Sequence, residues 1–217
     1  MLKVNFAQKN KSSCKVLCLG AHCDDIEIGC GGTILKLIEN YPDIEFYWVV
    51  FRADQQRARE ASESADVFLR HAKEKNIAVK NFRDGFFPYI GLEIKEYFEQ
   101  LKQEFSPELI FTHYRNDLHQ DHRLISDLTW NTFRDHLILE YEIPKYDGDL
   151  GFPNFFVHLN ETTCRRKIEY ILGSFKTQAE NQWFSEQTFL AILRLRGIES
   201  NAPDGYAEAF YCRKMVL

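Results

Sequence analysis

Two short polar segments hold histidines and aspartates at close spacing. They are His22, Asp24 and Asp25 in the first segment and His119, Asp121 and His122 in the second. Neutral imidazole and carboxylate groups are suitable ligands for a borderline divalent metal. The same side chains can also accept and donate protons during hydrolysis. The pattern therefore indicates a metal site with acid–base groups beside it.

In the first segment, His22 and Asp25 are three residues apart. One helical or turn-like winding places both side chains on one side of the chain. A histidine from the second segment then completes three protein ligands and leaves a position for water, which is the arrangement of catalytic zinc sites. Asp24 must point elsewhere, and a free carboxylate beside a metal-bound water is a natural general base.

The second segment offers two histidines for two tasks. Either His119 or His122 can complete the metal site, and the other can donate a hydrogen bond to a developing oxyanion. Asp121 is expected to orient that second imidazole and fix its proton. The alternative for Asp121 is an ordinary N-cap role in the helix that follows, which is compatible with orienting the histidine.

Both segments resemble the signature of the PIG-L/LmbE-like zinc-dependent N-acetylglucosamine deacetylases. The Ala-His-Pro-Asp-Asp pattern of that family is similar to residues 21–25, with Cys23 in the place of proline. The Asp-x-His-x-Asp-His pattern is similar to residues 117–122. Weaker similarities lie at Arg57–Glu60, at Asp84-Gly85 and at residues 206–210, so the resemblance runs from residue 15 to residue 212.

The resemblance implies a Rossmann-like fold and the hydrolysis of an N-acyl group, usually acetyl on an amino sugar. Carried over residue by residue, it assigns zinc to His22, Asp25 and His122. Another divalent metal such as Fe²⁺ is the alternative for the same ligands. The resemblance assigns the general base to Asp24, and the oxyanion contact or amine protonation to His119. Members of the family are often oligomeric, so the resemblance also implies a homo-oligomer. Arg57 and Asp84 are candidate substrate contacts, the alternatives being a surface helix pair and a turn aspartate.

The surrounding elements are expected to bring the two segments together. Apolar runs predict strands at 15–19, 44–51, 77–82, 109–112, 155–159 and 210–216, and helical periodicity lies between most of them. This alternation favours an α/β, Rossmann-like three-layer fold with a mostly parallel sheet. Each metal segment follows a strand, at the edge where such sheets bind ligands. We expect Gly29, Gly31 and Gly32 to precede a helix start at Thr33, and Gly197 to cap a later helix.

Composition limits the class of protein. The chain has 217 residues, and 27 Lys and Arg against 32 Asp and Glu give a net charge of −5, which argues against broad nucleic-acid binding. We expect one domain over 1–217, with a polar N-terminal extension at 1–14. No run of about 18 apolar residues occurs, so no membrane span is expected. The six cysteines form no CxxC pair, which favours free thiols and a cytoplasmic location.

Other functions fit parts of the sequence. Gly29-Cys30-Gly31-Gly32 superficially resembles a phosphate loop, but a dinucleotide site needs its glycines directly after the first strand. His22 and Asp24 with a distant histidine formally match the two-histidine, one-carboxylate triad of non-haem iron oxygenases. A catalytically silent ligand-binding relative is a third alternative. We expect Cys23 to be a buried thiol, and we expect structural or exposed roles for the remaining histidines: His71, His113, His136 and His158.

Overall fold

A computed structural model describes residues 14–216. In this part of the chain one seven-stranded sheet has the order β3-β2-β1-β4-β5-β7-β6. The strands are β1 (Cys14–Gly20), β2 (Ile44–Val50), β3 (Glu74–Val79), β4 (Leu109–His113), β5 (Leu137–Tyr141), β6 (Phe155–Leu159) and β7 (Tyr206–Cys212). Strand β7 is antiparallel to both of its neighbours, and the other pairings are parallel. The α/β class with a mostly parallel sheet is confirmed.

Helices cover both faces of the sheet. They are α1 (Asp25–Asn40), α2 (Gln55–Phe68), α3 (Gly91–Glu104), α4 (Gln120–Thr132), α5 (Glu161–Ser174) and α6 (Glu186–Glu199). Successive β1 residues point to opposite faces: Val16 joins the core beneath α1, α2, α5 and α6, whereas Leu17 joins the core beneath α3 and α4. This alternation produces the three expected layers.

The helix that follows β1 begins much earlier than predicted. It starts at Asp25 rather than Thr33, so the three glycines lie inside α1. They allow close packing instead of forming a loop: an added Cβ would lie 2.2 Å from the Tyr141 ring at Gly29 and 2.7 Å from Phe68 at Gly31. The early start has a functional consequence, because it places Asp25 in the first turn of the helix.

Other boundaries also differ from the predictions. The sequence did not predict β5, and β3 lies three residues earlier than expected. Strand β7 is shifted four residues towards the N-terminus, from the predicted range 210–216 to 206–212. Gly197 does not cap α6, which continues to Glu199; a Cβ at Gly197 would lie 2.1 Å from the carbonyl oxygen of Gly205. Most of the expected N-terminal extension, residues 1–13, lies outside the described residues, and Cys14 already belongs to β1.

No helix among residues 14–216 combines the length and apolar character that crossing a membrane requires. All six cysteines are free, and four of them are buried.

Candidate metal centre and active site

The site lies where β1 and β4 end, and these two strands are neighbours in the sheet. The chain leaves β1 at Gly20, and His22 follows in the turn before α1. The second segment lies between β4 and α4, with His119 at the N-cap of α4 and His122 in its first turn. The topology therefore brings together residues that are about a hundred positions apart in the chain, as the sequence predicts.

Three side chains converge in this crevice, and both carboxylate oxygens of Asp25 take part. His22 Nδ1 lies 3.1 Å from His122 Nε2 and 3.4 Å from Asp25 Oδ2, and His122 Nε2 lies 3.6 Å from Asp25 Oδ1. Around a tetrahedral zinc with ligands at about 2.0–2.1 Å, two ligand atoms are about 3.3–3.4 Å apart. The spacing and chemistry of this donor set therefore fit one divalent ion.

Further side chains crowd the same place. Three overlapping groups could each hold an ion: His22, His119 and His122; Asp25, His113 and His122; and His22, Asp84 and Asp121. Because the groups share residues, they form one cluster with several donors in reach. His22 belongs to two of the groups, and its Nε2 lies 3.3 Å from Asp84 Oδ1 and 3.5 Å from Asp121 Oδ2.

Carboxylates make this cluster favourable for positive charge. Burial lowers the pKa of the His22 imidazole. The carboxylates of Asp121, Asp25 and Asp84 outweigh burial and hold this pKa well above its usual value. For Asp25, burial raises the pKa of the carboxyl group. The nearby imidazoles of His122 and His113 outweigh burial and hold the pKa of Asp25 well below the usual range. A cation at this position is therefore stabilised electrostatically.

Asp24 lies beside the cluster and is buried. It occupies the N-cap position of α1, but its side chain makes no capping hydrogen bond. Its Oδ1 instead accepts a hydrogen bond from the Arg57 guanidinium at 3.2 Å. Burial, and then the charge of Asp25, raise the pKa of Asp24 to about 6. Arg57, a candidate substrate contact with a surface helix pair as the alternative, places its guanidinium on Asp24 in this structure.

The rings of His119 and His22 are nearly perpendicular, with an interplanar angle of 80° and centroids 4.8 Å apart. Its Nδ1 accepts a hydrogen bond from the backbone N–H of Asp121 at 3.3 Å. Burial lowers the pKa of His119, which favours a neutral imidazole. The Asp121 carboxylate, expected to orient His119, instead accepts hydrogen bonds from the backbone of Gly85 and Phe87 and lies 3.5 Å from His22 Nε2.

Asp84 and Cys23 lie at the edges of the cluster. Asp84 is half exposed, its Oδ1 lies 3.3 Å from His22 Nε2, and this contact lowers its pKa to about 2. The Cys23 thiol donates a hydrogen bond to the carbonyl oxygen of Arg52 at 3.2 Å. Burial raises the pKa of that thiol to about 12, and Cys23 is a free, buried cysteine, as the sequence predicts.

Sequence reasoning missed two residues of this site. His113, expected to be structural or exposed, is buried at the end of β4 with Nε2 3.2 Å from Asp25 Oδ2 and its ring stacked on His122. Asp117 belongs to the second motif but was given no role, and its Oδ2 lies 2.9 Å from His122 Nδ1. Their positions after a buried strand were the available signal, because side chains there face the same crevice.

Comparison with known proteins identifies the family. The family model described as PIG-L: GlcNAc-PI de-N-acetylase matches residues 17–133, which include both metal segments. The match covers more than half of the chain, and the protein belongs to this family.

Solved structures share the fold. The conserved protein TT1542 from Thermus thermophilus is 18% identical with a TM-score of 0.74, covering 93% of this chain and 95% of that one. N,N'-diacetylchitobiose deacetylase from Pyrococcus horikoshii is 23% identical with a TM-score of 0.68, covering 91% and 83%. The 4-carboxy-2-hydroxymuconate hydratase GalB from Pseudomonas putida is 13% identical with a TM-score of 0.68, covering 94% and 98%. The fold therefore accommodates more than one reaction.

Proposed function

We propose that the protein is a zinc-dependent hydrolase that removes the N-acetyl group from an amino sugar or a sugar conjugate. One observation carries the proposal: His22 Nδ1, His122 Nε2 and the Asp25 carboxylate converge within 3.1–3.6 Å, in a chain of the PIG-L family. Membership of that family supports deacetylation, and the three-ligand cluster supports a metal-assisted route.

In this proposal His22, Asp25 and His122 hold the metal. The donor set suits zinc and also accepts another divalent ion such as Fe²⁺. When bound, zinc supplies Lewis-acid polarisation of the acyl oxygen and lowers the pKa of its water from about 15.7 towards about 7. The remaining chemistry belongs to side chains of the protein.

Asp24 is the general base of the proposed reaction. Its carboxylate accepts the proton of the attacking water as oxygen bonds to the acyl carbon. Arg57 holds Asp24 Oδ1 from the side of α2, which fixes the direction of the carboxylate. The protonated Asp24 can then return this proton to the departing amine, so that acetate and a free amine are the products.

His119 is the proposed electrophilic group. A hydrogen bond from the backbone of Asp121 occupies its Nδ1, which leaves the other ring nitrogen to carry the proton. That N–H can stabilise the oxyanion of the tetrahedral intermediate or protonate the leaving amine. We assign Asp121 a supporting role, in which its carboxylate holds the Asp84–Phe87 loop against the site.

The substrate proposed is an N-acetylglucosamine-type compound bearing an additional group. The segments that carry Asp84 and His119 also expose apolar side chains, Phe86 and Leu118, which suit the apolar faces of a sugar ring or a conjugated group. Asp84, half exposed beside Phe86, is retained as a candidate substrate contact. We place this activity in the cytoplasm, where free thiols persist.

A panel of substrates tests the proposal. Amine release is measured on N-acetylated monosaccharides, on sugar conjugates and on acetylated peptides, before and after treatment with a chelator. We expect conjugates to be hydrolysed best, chelation to abolish the reaction, and added zinc to restore it. Activity confined to peptides would overturn the amino-sugar assignment alone, whereas full activity after complete metal removal would overturn the metal-assisted mechanism.

The iron-oxygenase alternative uses the same donors and is tested in the same preparation. Loading with Fe²⁺ under air should give no substrate-dependent oxygen consumption. Amide hydrolysis by the iron-loaded protein without oxygen uptake would support hydrolysis with a different metal. The silent-relative alternative predicts no turnover of any member of the panel by the fully metallated protein.

A further inference from the structure

One carboxylate holds both histidines of the second segment. Asp117 Oδ1 accepts a hydrogen bond from the backbone N–H of His119 at 2.8 Å, and Asp117 Oδ2 lies 2.9 Å from His122 Nδ1. With Nδ1 of His122 as the donor, Nε2 keeps its lone pair for the metal cluster. Carboxylates that contact the outer nitrogen of a ligand histidine set its orientation and basicity.

A second loop anchors that carboxylate. Lys145, in the connection between β5 and β6, places its Nζ 2.9 Å from Asp117 Oδ2 and also donates to Asp149 Oδ2. Asp149 Oδ2 in turn accepts the backbone N–H of Leu118 at 2.7 Å. One ammonium therefore joins two carboxylates and two loops within a few ångströms of a proposed metal ligand.

Because these three side chains are largely buried, the hydrogen-bond network depends on the positive charge of Lys145. The side chains of Lys145, Asp117 and Asp149 are 13%, 2% and 5% exposed. Without the ammonium, two buried carboxylates that now share one donor would face each other with little water to screen them. Their repulsion would displace Asp149 from Leu118 and loosen the loop that carries His119.

We propose that Lys145 is a positioning residue for metal binding, which acts through Asp117 on His122. The inference rests on the proposed function in one respect, the assignment of His122 as a ligand. It predicts that the connection between β5 and β6 contributes to the affinity of the metal site without supplying a ligand.

Zinc affinity tests the inference independently of any substrate. Competition with a chromophoric chelator measures the zinc Kd of the wild-type chain and of Lys145→Met, Lys145→Arg and Asp117→Asn. We expect Lys145→Met and Asp117→Asn each to weaken zinc binding by about 10- to 100-fold. Lys145→Arg keeps the cation and should retain most of the affinity. Circular dichroism of the metal-free variants checks that each one is folded.

A matched control and a double-mutant cycle identify the route. Lys36 is also partly buried and donates to a backbone carbonyl, that of His158, away from the cluster, so Lys36→Met should leave the zinc Kd unchanged. Adding Lys145→Met to Asp117→Asn should cause no further loss, because the lysine acts through that carboxylate. Wild-type affinity in folded Lys145→Met, or losses that simply add, would overturn the inference while leaving the proposed hydrolase intact. A wild-type chain that binds no zinc would overturn both.

Discussion

Asp24 and Asp25 are adjacent in the chain, but their carboxylates lie in different surroundings. Asp25 is within 3.2–3.6 Å of nitrogens from three imidazoles, those of His22, His113 and His122. Asp24 faces the Arg57 guanidinium instead. The turn into α1 separates them, since it points one carboxylate into the histidine cluster and the other towards α2. The two residues are therefore suited to different tasks.

Substitution by asparagine should separate these tasks. Asp24→Asn keeps the shape of the side chain but removes the proton acceptor, so metal should stay bound while kcat falls by about 100- to 10,000-fold. Asp25→Asn removes a charged ligand and should lower metal content first. Metal analysis of the purified variants, combined with amine-release rates, checks both. Loss of zinc from Asp24→Asn together with retention by Asp25→Asn would show that the two roles are reversed.

Local motifs predicted the residues of the site better than their contacts. The spacing of His22 and Asp25 indicated that they would meet a histidine of the second segment, the family resemblance specified His122, and the three side chains lie together. The contacts of Arg57 with Asp24, and of Asp121 with the Gly85 and Phe87 backbone, depend on how α2 and a distant loop pack against the site. No short-range pattern encodes those packing contacts, so sequence spacing could not reveal them.

At the scale of elements, α1 is the helix on which the proposed site depends. Its middle is held by an ion pair that is buried against β7 and α5. The Glu208 carboxylate accepts hydrogen bonds from the backbone N–H groups of Gly32 and Thr33. The Lys167 ammonium donates hydrogen bonds to Glu208 and to the carbonyl oxygen of Ile28. These bonds fix the helix along its axis, and they therefore fix the position of Asp25 at its first turn.

The glycines of α1 give an element-scale prediction. A methyl group at Gly29 would lie 2.2 Å from the buried Tyr141 ring, whose hydroxyl donates to the carbonyl oxygen of Leu19. Gly29→Ala should therefore lower the free energy of unfolding by about 1–3 kcal/mol, the usual cost of overpacking. Gly173 is a helical glycine with open space around it, so Gly173→Ala should raise that free energy by up to about 1 kcal/mol.

Denaturant unfolding of the two alanine variants provides the measurement. Because the residue change is identical, the difference between them isolates packing from helix propensity. Equal effects at Gly29 and Gly173 would contradict the close packing of α1 on β5. The error in the predicted start of α1 has the same origin: glycines that usually indicate a loop are used here to bring the helix close to Tyr141 and Phe68.

Across the whole molecule, strand order determines which segments can meet. The alternation of strands and helices predicted the parallel strands β1 to β4 and the edge of the sheet on which the two motifs lie. It did not predict β5, or that β7 lies antiparallel between β5 and β6. That arrangement depends on contacts between residues far apart in sequence, such as Tyr141 with Phe210, which leave little trace in local periodicity.

Because the proposed ligands come from two distant segments, metal binding should stabilise the whole fold. A ligand that binds only the native state at 100 times its Kd adds about 2.7 kcal/mol, which for a chain of this size raises Tm by about 5–11 °C. We expect this increase when zinc is added to the metal-free wild-type chain, followed by differential scanning fluorimetry. His122→Ala should abolish the increase, whereas His71→Ala should retain it, because His71 is exposed in the segment after α2, away from the cluster. A zinc-dependent rise of equal size in His122→Ala would place the stabilising ion elsewhere in the molecule.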